Sequence, residues 1–333
     1  MLADLEGMAQ HSLAIKTWSS YKTAERSLIW YCKENKIKFE LPVSEAVITG
    51  YVHWLVIIKK KKSSTVSGYL AGIRKLHIIK GMPVPVIRTE LIQMVLKGGK
   101  NIEDAERLRS GGHERQPVTP DILELIKIRL RSWDSAEVDK CMVWTVCTLL
   151  FHGAFRGGEL LCKSSHQFDP AFDLLRKDIV LVSDKNNKQL STVQVKVKAP
   201  KEKKDNRAEI VDIYQSDTKI CPVRAFRKWH TATKSYQDDQ PAFRFSSGIP
   251  LTAGQFNSIL KERLKGFLDQ NISAHSFRAG AASMLAQLGY SEKEVKAVGR
   301  WSSRAVENYV KLNRSKRMEV AKKFRKFGLN STT

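Results

Sequence analysis

Apolar residues in the first part of the chain recur at three- and four-residue steps: Trp18, Tyr21, Ala24, Leu28 and Tyr31. That spacing places them on one face of a helix. Ser44 followed by Glu45 supplies a helix start before a second stripe, Val47, Ile48, Tyr51, Val52 and Leu55. A third helix is expected from Ser64 or Thr65, burying Val66, Tyr69, Leu70 and Ile73. The first hundred residues therefore read as short helices. Between the second and third lies Lys59-Lys60-Lys61-Lys62, a solvated loop or a run of phosphate contacts.

From Arg109 to Gln116 the periodicity disappears, and Ser110-Gly111-Gly112-His113 cannot sustain a helix. Thr119-Pro120-Asp121 then combines an N-cap, a first-turn proline and an acid matched to the helix dipole. The expected organisation is a helical unit over 1–108, a linker over 109–118 and a second unit over 119–333. After an apolar helix ending near Phe151, the period shortens to two. Asp178 to Ser183 is β-rich, Asp184 to Asn187 makes a turn, and Val193, Val195 and Val197 alternate with polar neighbours in Ser191 to Lys198. Glu209 to Tyr214 is a third strand. Helices resume at Cys221-Pro222, with a cap at Thr252 and further helices near 275–288, 292–298, 304–312 and 315–327. The fold class is mainly α with a small antiparallel sheet (α+β).

Composition narrows the partners. The chain has 333 residues, enough for two domains, and 57 Lys plus Arg against 34 Asp plus Glu give a formal charge of +23. Such a charge favours a polyanion, nucleic acid before an anionic membrane surface. The longest apolar stretch, Cys141 to Phe151, is about half of a membrane span. The N-terminal residues lack a basic n-region and an apolar h-region, so the chain is expected to stay inside a cell. Five scattered cysteines without a Cys-x-x-Cys pair read as reduced core thiols, with no metal site indicated.

Four separated pieces can carry chemistry: Arg156-Gly157-Gly158-Glu159, the lysine-rich turn Lys196 to Lys204, His275-Ser276-Phe277-Arg278, and Gly299-Arg300-Trp301 with Tyr309 eight residues after the tryptophan. Singly, each has an ordinary structural explanation. Arg-x-x-Glu is a common helix ion pair, His-x-x-Arg an ordinary helix face, and Trp301 with Tyr309 a pair of core aromatics.

Taken together and in this order, the pieces resemble the tyrosine recombinase (phage integrase) family. Gly299-Arg300-Trp301-Ser302-Ser303 before Tyr309, with Cys221-Pro222-Val223, looks most like the eukaryotic mobile-element branch, the Crypton and DIRS-like elements. Trp301 stands where many bacterial relatives carry histidine; the family uses both. The resemblance covers nearly the whole chain. It implies a helical SAM-like core-binding domain over 1–108 and a tyrosine recombinase catalytic domain with a C-terminal helix over 119–333. It also implies a double-stranded DNA partner, homodimers or homotetramers on that DNA, and no cofactor, membrane or small-molecule substrate. The expected location is nuclear if the source is eukaryotic and otherwise cytoplasmic.

The residue types suit that chemistry. Phosphodiester cleavage builds charge on equatorial oxygens, which paired guanidiniums bind; Arg156 and Arg278 take that part. The resemblance makes Tyr309 the nucleophile of a 3′-phosphotyrosyl intermediate that conserves the energy of the broken bond. A lysine on a mobile hairpin would protonate the leaving 5′ hydroxyl; Lys201 matches best, with Lys198 the alternative. His275 would assist proton transfer or bond the phosphate, Trp301 would donate its indole N–H, and Glu159 would fix its neighbours. Lys59, Lys60, Lys61, Lys62 and Arg300 are expected as DNA contacts. The competing classes are a domesticated, non-catalytic DNA-binding protein and a type IB topoisomerase-like enzyme.

Overall fold

A computed structural model describes residues 15–109, 116–183, 191–198, 208–268 and 272–301. The chain divides into two compact units, Met1–Gly112 and His113–Thr333. The expected helices 304–312 and 315–327, the turn at 184–187, Lys201 and Tyr309 lie outside the described residues.

The first unit contains α1 (Ile15–Glu34), α2 (Glu45–His53), a π-helical turn (Trp54–Ile58), α3 (Ser63–Ile79) and α4 (Glu90–Arg109). Its core draws on each stripe read from the sequence: Leu28 and Tyr31 from α1, Ile48, Tyr51 and Val52 from α2, Val66, Leu70 and Ile73 from α3. Ser44 caps α2 by accepting from Val47 N. Two features differ from expectation. Helix α3 begins at Ser63, because Glu103 of α4 accepts from both Ser63 N (2.6 Å) and Ser63 Oγ (2.8 Å). The capping acceptor thus comes from a distant helix, which no local pattern announces. Helix α4 itself was not foreseen, since Gly98-Gly99 interrupts its middle and Leu91, Met94 and Ile102 are exposed. At Gly99 an added Cβ would lie 2.9 Å from Ser63 Oγ, so the glycine serves the close approach of α4 to the start of α3.

The second unit is built on α6 (Glu137–His152), which is buried on nearly every side: Met142, Val143, Val146, Cys147, Leu149 and Leu150 have no exposed surface. Its two threonines satisfy their hydroxyls internally, Thr145 Oγ1 donating to Cys141 O at 2.8 Å and Thr148 Oγ1 to Thr145 O at 2.9 Å. Helices α5 (Pro120–Arg131), α8 (Pro222–Ala232) and α10 (Ala274–Gln287) pack against it. Thr119 caps α5 with a proline in its first turn. Strands β1 (Ile179–Ser183), β2 (Ser191–Val197) and β3 (Glu209–Tyr214) form an antiparallel sheet in sequence order. The register pairs Leu181 with Val193 and Val193 with Ile213, and Val193, Val195 and Val197 enter the core while Lys196 stays exposed. A one-residue slip would turn all three valines outward. Short helix α7 (Gly157–Leu160) follows α6, a 3-10 turn (Arg176–Asp178) leads into β1, and α9 (Ala253–Arg263) and α11 (Glu292–Gly299) complete the described elements.

All five cysteines are buried and unpaired. Among the described residues no helix is long and apolar enough to cross a membrane, and no group of three or more His, Cys, Asp or Glu side chains could hold a metal ion.

Candidate active site

Three chain segments meet where α6 ends: the turn Gly153–Arg156 leading into α7, the first turns of α10, and the end of α11 with Arg300 and Trp301. Ala154 has φ 46°, a left-handed turn that redirects the chain after the buried helix. Arg278 of α10 holds this turn, its Nη1 donating to Ala154 O and its Nη2 to Gly299 O at 2.5 Å. Its Cζ lies 4.2 Å from the centre of the Trp301 ring, a cation–π stack. A Cβ on Gly299 would overlap that indole, so the glycine before Arg300 is what lets Trp301 fold back. Arg278 is only 1 % exposed.

Arg156 precedes α7 and reaches Glu159 twice: its backbone N–H donates to Oε2 (2.9 Å) and its Nη1 to Oε1 (2.8 Å). Glu159 Oε2 accepts a third bond, from Arg300 Nη2 at 2.9 Å, while Arg300 Nη1 donates to Gly153 O at 3.0 Å. The carboxylate is thus clamped between two guanidiniums. The side chain of Arg156 is 22 % exposed, and those of Arg300 and Glu159 are 9 % and 7 % exposed. Arg300, expected as a DNA contact, is folded inward, with its Cζ also 4.8 Å from the centre of the Phe155 ring.

His275 occupies the first turn of α10 and is exposed. The helix start abuts α7, where a Cβ on Gly157 would lie 2.9 Å from Ala274 Cβ. Two further ties fix it: Asn257 Oδ1 accepts from Ala274 N at 2.9 Å, and Ser276 O accepts from Val118 N at 3.0 Å. Gly280 permits the second, because a Cβ there would overlap Val118 O. Asn257 and Val118 escaped sequence reading, since neither belongs to any motif and their part depends on long-range contact. Immediately before the turn, burial pushes the His152 pKa down, partly offset by its Nδ1 bond to Thr148 O at 2.9 Å.

Lys198 bonds other residues than these. Its ammonium pairs with Asp178 (2.8 Å) and donates to Pro170 O (2.7 Å) and Asp173 O (2.9 Å). Three acceptors occupy its three protons, just beyond the end of the central strand β2. Lys59, Lys60, Lys61 and Lys62 are exposed in the first unit. Lys59 Nζ sits 4.5 Å from the centre of the Trp30 ring and 5.0 Å from that of Trp54.

The structure therefore brings Arg156, Glu159, Arg278, Arg300 and Trp301 to one turn, with His275 on the helix that begins beside it. The guanidiniums of Arg156, Arg278 and Arg300 gather there with the single carboxylate of Glu159, which Arg156 and Arg300 bond, an excess of positive charge that suits an anion.

Solved structures share this fold. The XerH site-specific recombinase bound to palindromic difH substrate, in a post-cleavage complex, is 13 % identical with a TM-score of 0.62, over 96 % of this chain and 84 % of that one. The Tn1549 transposon integrase in complex with circular intermediate DNA is 14 % identical with a TM-score of 0.56, covering 96 % and 98 %. A lambda integrase dimer bound to a COC′ core site is 13 % identical with a TM-score of 0.53, covering 93 % of both chains. No family model and no curated relative matches the chain. The mainly helical second unit with its three-stranded antiparallel sheet has the fold of tyrosine recombinase catalytic domains.

Proposed function

We propose that the chain is a site-specific DNA recombinase that cuts and rejoins strands through a 3′-phosphotyrosyl link to Tyr309. The observation that carries this is the meeting of Arg156, Arg278 and Trp301, 145 residues apart between first and last, at one turn of a fold shared with recombinases and integrases solved on DNA. Arg156, partly exposed and oriented by Glu159, offers its guanidinium fork to the scissile phosphate. Arg278 lies beneath, 1 % exposed, so its contact with phosphate requires the site to open when DNA binds. His275 stands at the surface, where it can bond a nonbridging oxygen or move a proton, and the Trp301 indole packs against Arg278. The positive charge that stabilises the transition state comes from guanidiniums and a lysine. Lys198 spends its protons on Asp178, Pro170 and Asp173, which favours Lys201 as the acid for the leaving 5′ hydroxyl.

The partner is double-stranded DNA, held by both units through phosphates, with Lys60, Lys61 and Lys62 as contacts in the first, and the working assembly is a homodimer or homotetramer on that DNA. The Gly299-Arg300-Trp301 segment supports a reading as a mobile-element recombinase of eukaryotic type, which would act in the nucleus; in a source of another kind the enzyme would act in the cytoplasm. The test uses nicked suicide duplexes from sequence flanking the encoding gene. Wild-type protein is expected to form an adduct through the 3′ phosphate of the cut strand, leaving a free 5′ hydroxyl, and Tyr309→Phe to bind the duplex without forming one. Adducts persisting in Tyr309→Phe would refute the assignment.

A further inference from the structure

Arg300 stands out for what its placement costs. Its backbone is left-handed, φ 56° and ψ 44°, at the residue that ends α11, where glycine would escape the Cβ clash. Its side chain is 9 % exposed, so a permanent charge has been drawn out of water. Its Nε is buried without a hydrogen-bond partner, a further desolvation penalty. Strain and buried polar groups of this kind accumulate where they serve a functional site.

The geometry shows what the cost accomplishes. Glu159 grips Arg156 through both oxygens, fixing its backbone and its guanidinium. Alone, that pair is neutral, and an approaching phosphate would meet a carboxylate beside the cation meant to attract it. Arg300 bonds one of those same oxygens and anchors its other arm on Gly153 O. Two guanidiniums about one carboxylate leave a net positive charge. A fork reaching both a carbonyl and a carboxylate also suits arginine, whereas a lysine ammonium is a single point charge.

We propose that Arg300 is a positioning residue for phosphodiester cleavage: it takes up the charge of Glu159, so that the carboxylate can orient Arg156 without cancelling the field the phosphate meets. The role rests on the recombinase reading of the site. It differs from a direct DNA contact, because Arg300 acts through Glu159.

The test is a double-mutant cycle of Arg300→Gly and Glu159→Gln, reading single-turnover adduct formation at saturating suicide duplex together with thermal melting. Glycine accepts the left-handed backbone, so Arg300→Gly should stay folded; Arg300→Asn, which also tolerates that conformation, takes its place if melting falls below the assay temperature. Arg300→Gly is expected to slow cleavage by roughly 100-fold, the lower end of the cost of removing one preorganised electrostatic donor from an oxyanion hole. Adding Glu159→Gln should recover most of that loss, since the uncompensated negative charge is gone. Cleavage at the wild-type rate in the folded Arg300 variant overturns the role. So does a double variant no faster than Arg300→Gly, which would make Arg300 a direct phosphate contact or a purely structural residue. Absence of any adduct with wild-type protein would instead refute the recombinase chemistry, and this role with it.

Discussion

His77 is fully buried in the first unit, and both of its ring nitrogens are used: Nδ1 bonds Ile73 O at 2.8 Å and Nε2 accepts from Val43 N at 2.9 Å. The second bond defines the tautomer, with the proton on Nδ1. It ties α3 to the segment that enters α2, a job no aliphatic residue can do. His77→Ala is expected to destabilise the protein by about 2–4 kcal/mol, combining an unpaired buried N–H with lost packing, as measured by denaturant unfolding. A loss below about 1 kcal/mol would mean that water replaces the imidazole. Individual residues near the candidate site were legible to different depths. The Arg156–Glu159 pair is three residues apart, so its spacing alone predicts contact. The bond from Arg300 to Glu159 spans 141 residues, and only the fold could reveal that Arg300 turns inward rather than toward solvent.

At the scale of elements, periodicity anticipated the helices with one dominant apolar stripe and the strand whose three valines alternate. It failed where an element depends on a partner. Helix α4 gains its place from the Gly99 approach and the Glu103 cap on Ser63, neither of which is a local pattern. Glu103→Ala should therefore weaken α3 by about 1 kcal/mol, a cap's worth, although the substitution lies in another helix. The lysine hairpin offers a sharper separation. Lys198 and Asp178 are mostly buried, with side chains 14 % and 6 % exposed, and removing one partner of such a pair leaves a charge without compensation. Lys198→Met is expected to cost about 3 kcal/mol of stability by denaturant unfolding. Lys201→Ala, by contrast, should melt like wild type yet slow adduct formation. The reverse pattern would return the acid's role to Lys198. Sequence spacing could not choose between two lysines three positions apart; the acceptors around Lys198 are what the proposal of Lys201 rests on, and these two variants test it.

For the whole molecule, the excess of 57 basic over 34 acidic residues favours a polyanionic partner, while the fold was needed to bring Arg156, Arg278 and Trp301 to one turn. The same burial that gathers them makes stability depend on pH. His152 ends α6 directly before that turn, and burial lowers its pKa from the ordinary 6.5. Folded protein therefore keeps this ring neutral at pH values where the unfolded chain has begun to bind a proton. The unfolded state then holds more protons, and stability must fall as acid is added. The contribution is fully present above about pH 6.5 and is lost as the pH drops from there through the lower folded value. His230, whose pKa is lowered by burial and by the neighbouring Arg176 charge, acts in the same direction. Denaturant unfolding from pH 7.5 to pH 5 should thus show a declining free energy, and His152→Gln should flatten part of that decline while His230 retains the rest. An unchanged slope in the variant would mean that His152 takes up its proton in the folded protein as readily as in the unfolded one, and that the end of α6 is more open to water than its packing implies.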